Sequence, residues 1–414
     1  MTMLKASTLY IVVIISLLIA MISASLLTIA FYYRLEVQKK TRLDHLLHNE
    51  NSGREILLSE GFSDYDKEVV MDLFADQKDS LVLKKELWGA YELGMVKAFE
   101  LKDTLKRSFL IGNAFLDSNV LYLADEDRPL SISGTTALTG NAELPKSGLK
   151  QSYVDGKPYE GKELIKGKIT ESNRNVPPLN EKLILQVERN FKPEKGLLFN
   201  VRDSMVNSFF NTAQLYQLEL NQLMIEDTKL RGKIILVSDT VVTIAATAVL
   251  EDIQIYAPAI VVAPGFKGSC QLFARDSIII GKDCTFNYPS FAGIFKPEAG
   301  KIQSKISIGE GVTFSGILMT YEKKRSDLQT MISLGAKSRV KGEVFATGYI
   351  KMEKGITVYG KVYAKRFIMQ TPATLYENYL IDITLNRKLL SKYYLSSIVF
   401  KRGVPDKKVL KWLN

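Results

Sequence analysis

The stretch MISLGAKSRVKGEVFATGYIKMEKGITVYGKVYAK, residues 331 to 365, decides the fold. Within it Leu334, Val340, Ala346, Met352, Val358 and Ala364 recur at a step of six. Around them Ile350, Met352, Ile356, Val358 and Val362 alternate with polar neighbours, the period-2 pattern of strands with one buried face. Three sixes make eighteen, and the eighteen-residue unit continues outward. Apolar pairs at i and i+2 stand at Val242/Ile244, Ile260/Val262, Ile278/Ile280, Ile306/Ile308, Ile332/Leu334 and Ile350/Met352. Their spacing is 18, 18, 28, 26 and 18, so two units carry inserted loops of 10 and 8 residues. A fixed period with loop-sized insertions predicts a mainly β chain built as a short-coil β-solenoid, each coil burying its apolar face only by stacking on its neighbours. Six coils at about 4.8 Å per layer make a rod of roughly 29 Å. Gly281, Gly309 and Gly335 each follow an anchor pair by one residue, and Gly316, Gly342 and Gly360 follow by eight, where a coil must turn. An antiparallel sandwich is the alternative reading of the same alternation.

The amino end carries a different signal. Between Lys5 and Arg34 lie 28 uncharged residues, ASTLYIVVIISLLIAMISASLLTIAFYY. As a helix they extend about 42 Å, against a hydrocarbon core of about 30 Å. A cleavable signal peptide has an apolar region of only about 7 to 15 residues and a small-x-small site. Ile22 spoils that site before Ala24. The run predicts a retained single-pass anchor whose partner is membrane lipid, with everything after Tyr33 outside the bilayer. This short amino tail, apolar helix and polar continuation (YRLEVQKKTRLDHLLHNENSGREILLSE, residues 33 to 60) resemble minor pilins and pseudopilins. The chain departs from that class in having no prepilin-type cleavage site and no glutamate within the apolar run. Arg34, Lys39, Lys40 and Arg42 follow the run, and by the positive-inside rule they draw the body to the cytosol. The pilin resemblance implies the opposite side, and the reading adopted is an extracytoplasmic body.

Six regions are expected: the anchor over 1–33, a helical stalk over 34–79, a β-rich region with an early solenoid-like segment over 80–177, a helical excursion over 178–230, the solenoid over 231–370, and a cationic cap over 371–414. Leu81 to Ile111 alternates as a meander of strands, and 64–75 extends the stalk or forms a small helix. Ile132, Leu138 and Leu144 again step by six, which reads either as part of one solenoid interrupted by the excursion or as a separate domain. The excursion rests on Asp203, Val206, Phe209, Phe210 and Ala213 at helical spacing.

The net charge of +10 is concentrated at the carboxyl end. Arg387, Lys388, Lys392, Lys401, Arg402, Lys407, Lys408 and Lys411 face one anion, Asp406. Interleaved with Tyr393, Tyr394, Ile398, Val399 and Phe400, they predict a terminal strand pair with a solvated face that covers the end of the solenoid. No helix-turn-helix, RNP-like or zinc-finger spacing points to a nucleic acid. Catalytic, cofactor and metal residues are all expected to be absent. The only histidines, His45 and His48, sit beside Asp44 on one helical face, a poor two-ligand set read as solvated surface. Cys270 and Cys284 occupy different phases of the repeat; Cys284 shares that of Phe266, Val312 and Ile356 and reads as a small buried residue, with a disulfide as the other possibility. Polysaccharide lyases and hydrolases of the β-helix type gather carboxylates on one face of neighbouring coils. Here Glu251, Asp252, Asp276, Asp283, Glu310, Glu343 and Glu353 are scattered in phase, and only the first two are adjacent.

The segments ISIGEGVTFSG (306–316), ISLGAKSRVKG (332–342) and IKMEKGITVYG (350–360) resemble bactofilins, the polymer-forming β-helical scaffolds of bacteria. That resemblance, over about 130 of 414 residues, implies a scaffold that self-assembles. The expectation is a non-enzymatic, membrane-anchored structural or interaction protein presenting its coils to protein partners, possible members of a pilus-like or surface assembly. A polymerising scaffold is the first alternative and a β-helix lyase or hydrolase the second.

Overall fold

The computed structural model describes residues 6–75, 79–115, 117–192, 197–198, 204–219, 223–296, 302–370, 374–401 and 406–413. Lys5, Asp203 and Arg402 of the expectations above lie outside the described residues. The chain is mainly β, with one long apolar helix at its amino end.

Helix α1 spans Ala6–Leu58, 53 residues, and neither glycine nor proline interrupts it before Gly53. From Thr8 to Thr41 every residue is exposed. Beyond that the helix becomes one-sided: Leu46 and Leu57 pack with Leu81, Leu83, Val96, Ala98, Phe109 and Ile111 of an antiparallel sheet. Gly53 lets the helix approach closely in that seam, where a Cβ would meet the side chains of Leu83 at 2.9 Å and Val96 at 3.0 Å. The sheet consists of β1 (Glu68–Met71), β2 (Asp79–Trp88), β3 (Tyr91–Glu100) and β4 (Asp103–Ala114), in that order. The stalk expected over 34–79 therefore stops at Leu58. The stretch 64–75 holds an edge strand instead of a helix, since Val69 and Met71 alternate with exposed neighbours and register opposite Leu83 and Leu81. Two-residue turns link β2 to β3 and β3 to β4, with Trp88 opposite Tyr91 and Glu100 opposite Asp103.

Most of the remaining strands form a sheet, almost wholly parallel, that closes on itself, and a separate three-stranded parallel sheet is made by Leu130–Ser133, Leu149–Gln151 and Tyr379–Ile381. Successive eighteen-residue units lie on one another in register: Ile260 pairs with Ile278, Ile278 with Ile306, Ile306 with Ile332 and Ile332 with Ile350. A second row runs Phe286, Phe314, Val340, Val358. In the 26-residue step the eight extra residues fall at 323–330, between the strands Thr313–Glu322 and Met331–Leu334, and the registers on either side are kept; in the 28-residue step two of the ten fall inside the strand Thr285–Lys296, where the register shifts after Phe286. Inside, the apolar positions form one continuous cluster that includes Ile278, Ile306, Ile332, Val340, Ile350 and Val358. Gly316, Gly342 and Gly360 stack at a bend with φ of +144°, +143° and +152°. A Cβ on Gly342 would lie 2.0 Å from the Gly316 carbonyl oxygen, so no other residue fits that row.

The order of rungs in space differs from their order in the chain. One row of Cα partners runs Leu197, Tyr216, Leu236, Ile255, Leu272, Ala292, Leu318, Val344, Val362 and then Leu121, Ala142 and Ile169. The early patch thus lies beyond the carboxyl end of the repeat: Leu138 pairs with Leu385 and Ile132 with Leu380. At about 4.8 Å per layer the twelve rungs make about 58 Å, twice the length expected from six coils. The two β regions thus belong to one closed sheet rather than to separate domains, with the early segment stacked beyond Val362 instead of ahead of the repeat.

The expected cap is also redirected. Strand Lys407–Leu413 and the short strand Leu395–Ser396 both pair with β4, so the tail completes the antiparallel sheet while residues 119–171 cover the end of the repeat. The helical excursion of 178–230 contracts to α2, Glu181–Asn190, whose first turn is capped by the Asn180 side chain accepting from the Lys182 amide at 3.2 Å. Val206 lies in the strand Met205–Asn207 instead. The helical spacing of its neighbours arises because Phe209 packs inward between layers, against Trp88 at 5.5 Å.

A second apolar layer explains these placements. One outer face of the stack is a column of rings: Tyr256 stacks on Phe273 at 4.5 Å, and Phe345 and Tyr363 approach Phe400 at 5.5 and 5.6 Å. Leu183 and Val187 of α2, Ile398 to Phe400, and Trp88 and Tyr91 cover that column in one cluster. Aromatic side chains each bury about 150–250 Å², so an open column of this kind is costly in water and draws distant segments onto it.

Candidate functional site

The chemistry-bearing side chains lie at the seams between these layers. In the seam between α1 and the sheet, Glu50 is fully buried and neither carboxylate oxygen has a hydrogen-bond donor. Its ion-pair partner is Arg107 at 3.4 Å. Burial pushes the Glu50 carboxyl up, against the opposing pull of Arg107 and Arg54. Those two arginines lie over the ring of Trp412, at 5.4 and 6.0 Å. The tail strand therefore holds α1 through cation–π contacts as well as pairing with β4.

Farther along the same face of the sheet, Lys85 is buried beneath Phe62, 5.1 Å from its ring. Burial lowers its pKa to about 8, with Glu92 opposing. Glu92 accepts from Lys407 through both oxygens at 2.8 Å and from the Tyr65 hydroxyl. The Tyr65 hydroxyl is raised by burial and by that carboxylate.

Where sheet, tail and stack meet, a cleft of about 540 Å³ is lined by Asn207, Asn211, Arg231, Glu251, Asp252 and Lys411 among others. Its charges are matched in pairs. Lys411 donates to both oxygens of Asp252 at 2.8 and 2.7 Å, and Arg231 meets Glu251 at 3.2 Å. Burial raises the Asp252 carboxyl while Lys411 pulls it down. Each carboxylate of this adjacent pair is thus engaged by a cation.

The other carboxylates named from the sequence are dispersed. Glu310 pairs with Lys337 at 2.9 Å, Glu353 accepts from the Ala336 amide at 3.2 Å, and Glu343 is buried and accepts from the Ser396 hydroxyl. Asp283 takes a left-handed φ of +55° at a turn. The structure brings Glu251 and Asp252 together and leaves Asp276, Asp283, Glu310, Glu343 and Glu353 apart from them. Cys270 and Cys284 are both buried and not bonded to each other. Burial raises both thiols. His45 and His48 are exposed with Asp44. His45 Nδ1 lies 3.5 Å from Glu100. Among the described residues no group of three or more His, Cys, Asp or Glu side chains is placed to hold a metal.

Cations at positions where the sequence pattern implies exposure are instead paired and withdrawn from water. Lys361 occupies an outward phase of the repeat, yet it is buried, pairs with Asp117 at 3.1 Å and lies 4.6 Å from the Tyr363 ring centre. In the tail, Lys407 and Lys411 do not form a solvated face, because they are committed to Glu92 and Asp252. Of the seam residues, Glu50 was read only as part of the stalk-like stretch 33–60, and Lys85, Glu92 and Trp412 were not singled out by the sequence reading. Their one local signal is a charge at an apolar phase, as at Lys85 after Leu81 and Leu83.

No family model and no curated protein matches the chain. Among solved structures, the crystal structure of the competence-associated pilin ComZ from Thermus thermophilus is similar at a TM-score of 0.25 and 7% identity, over 84% of this chain and 86% of that one. A score at that level carries no argument about fold or function.

Proposed function

We propose that this chain is a membrane-anchored, extracytoplasmic structural or interaction protein, pilin-like in its amino-terminal module, that carries a β-solenoid as its presenting body. The observation that supports it is α1: one continuous helix whose outer part is apolar and exposed throughout and whose inner part packs on an antiparallel sheet. Such a helix is long and apolar enough to cross a membrane. In-register parallel pairing at the eighteen-residue period supports the solenoid.

In this reading the protein acts by display, with lipid held through α1 and proteins or further copies held by the body. Nucleic acid is not among its partners. A non-enzymatic role fits the carboxylates, which are spent on lysines and arginines at the joints between layers. A bactofilin-like polymer is the second reading, favoured by the exposed terminal strand Ile169–Glu171.

The full-length chain is expected to sediment with membranes, to resist high salt and to be released by detergent. A phosphatase reporter fused after Asn414 is expected to be active and a fluorescent cytosolic reporter dark. Recovery in the soluble fraction removes the anchor from the proposal, and the reversed reporter pattern places the body in the cytosol.

A further inference from the structure

We infer that the rim of the antiparallel sheet nearest the anchor is a second, peripheral membrane contact, in which Phe74 and Leu101 meet the headgroup zone of an anionic bilayer. The inference rests on the anchor reading above and adds a surface to it.

Four contacts fix the direction of the sheet along α1. Gly53 lies beside Leu83 and Val96. Glu50 meets Arg107 at 3.4 Å, His45 meets Glu100 at 3.5 Å, and Arg42 meets Asp103 at 2.7 Å. Descending α1 toward its apolar run therefore leads to the β3–β4 turn. Asp79 is in register with Glu100, which puts the turn after β1 at the same rim.

Both turns present an apolar side chain to solvent. Leu101 is 82% exposed and takes a φ of +54°, in a two-residue hairpin turn where glycine or asparagine is the ordinary choice. Phe74 is 59% exposed, and its turn is held by Asp72 Oδ1 accepting from the Phe74 and Ala75 amides at 3.2 and 2.9 Å. Single exposed apolar residues are ordinary on a surface. Two at the tips of one rim, on the side from which the anchor leaves, are placed to face a bilayer.

Charge favours the same partner. Arg34, Lys39 and Lys40 on α1, and Lys102 and Lys106 beside the turn, are exposed, against Glu36, Asp44 and Asp72. Phe31, Tyr32 and Tyr33 form an interfacial aromatic group. From Tyr33 to Arg42 is nine residues, about 14 Å along the axis, and the headgroup zone takes up about 5–8 Å of that. An apolar run of about 42 Å in a core of about 30 Å is relieved by tilt. Leaning toward the sheet brings the two tips to the surface, within a Debye length of about 10 Å of anionic headgroups.

The test uses the full-length chain in nanodiscs, with an environment-sensitive fluorophore on Leu101→Cys, Phe74→Cys, Tyr393→Cys or Ala20→Cys and a headgroup spin-labelled lipid as quencher. Cys270 and Cys284 are buried, and Tyr393, 88% exposed beside a segment paired with the far end of β4, is the distal control. In discs containing phosphatidylglycerol, quenching at positions 101 and 74 is expected to be at least about twofold that at 393, and to fall toward the 393 level in about 0.5 M salt. Quenching at 101 and 74 no greater than at 393, with Ala20 shielded from solvent by the bilayer, overturns the rim contact and leaves the anchor standing. An Ala20 label exposed to water overturns the anchor, and this inference with it.

Discussion

Val358 and Lys361 are three residues apart on one strand, and both are withdrawn from water. Val358 points into the stack, fully buried between Val340 and Leu385 in register. Lys361 is held in the outer seam by Asp117 at 3.1 Å and by the face of Tyr363. Val358→Asp places a carboxylate without a partner among apolar side chains and is expected to cost several kcal/mol, enough to lose the cooperative transition. Lys361→Asp sets two carboxylates together and removes the cation from the ring. Asp117 is 43% exposed at its side chain, so the loss is expected at about 1–3 kcal/mol, below the roughly 3–5 kcal/mol of breaking a fully buried pair. Urea unfolding of both variants checks the order. A Lys361→Asp protein as stable as the wild type would mean that Lys361 is in solvent, as its phase in the repeat implies.

The tail strand Lys407–Leu413 acts as an element by closing the outer edge of β4 and joining three layers. Lys407 reaches Glu92, Lys411 reaches Asp252, and Trp412 meets Phe109 at 5.3 Å. Truncation after residue 405 removes the outer ladder of β4 between Ser108 and Asn113, while the ladder to β3 remains, and exposes a strand edge. Hydrogen exchange on the truncated chain is expected to accelerate at 108–113 and to remain unchanged at 362–364, which pair with Leu121 to Leu123. Faster exchange at 362–364 would instead assign the tail to the end of the stack. A cationic, aromatic-rich tail identifies a terminal strand from sequence alone. Which edge it joins depends on Glu92 and Asp252, more than 150 residues away from it.

At the scale of the molecule, the question is whether the stack continues into a second copy. Its final rung is the short strand Ile169–Glu171, exposed along its length, and Leu149–Gln151 is the edge of the separate three-stranded sheet. Open strands pair with another chain unless they are short, charged or covered. Glu171 and the exposed Lys166 and Lys168 flank this edge, and the rung is three residues long. Detergent-purified full-length protein is therefore expected as monomers or small oligomers by electron microscopy at micromolar concentration. Filaments would favour the bactofilin-like reading over the display protein.

What the sequence determined by itself is what local chemistry dictates. Twenty-eight uncharged residues make a helix suited to a bilayer wherever the chain goes next, and one apolar residue in every six makes strands that share a buried face. Registers such as Val340 on Val358 and Ile332 on Ile350 follow from that period directly. The tertiary structure alone decided that residues 119–171 stack beyond Val362, that the tail joins β4, and that Lys361 and Lys85 are buried. The physical reason is that parallel rungs are joined by backbone hydrogen bonds common to every residue. A periodic pattern therefore specifies inward and outward faces, while the order of rungs in space, and the layer that covers an outward face, are set by contacts between residues hundreds of positions apart.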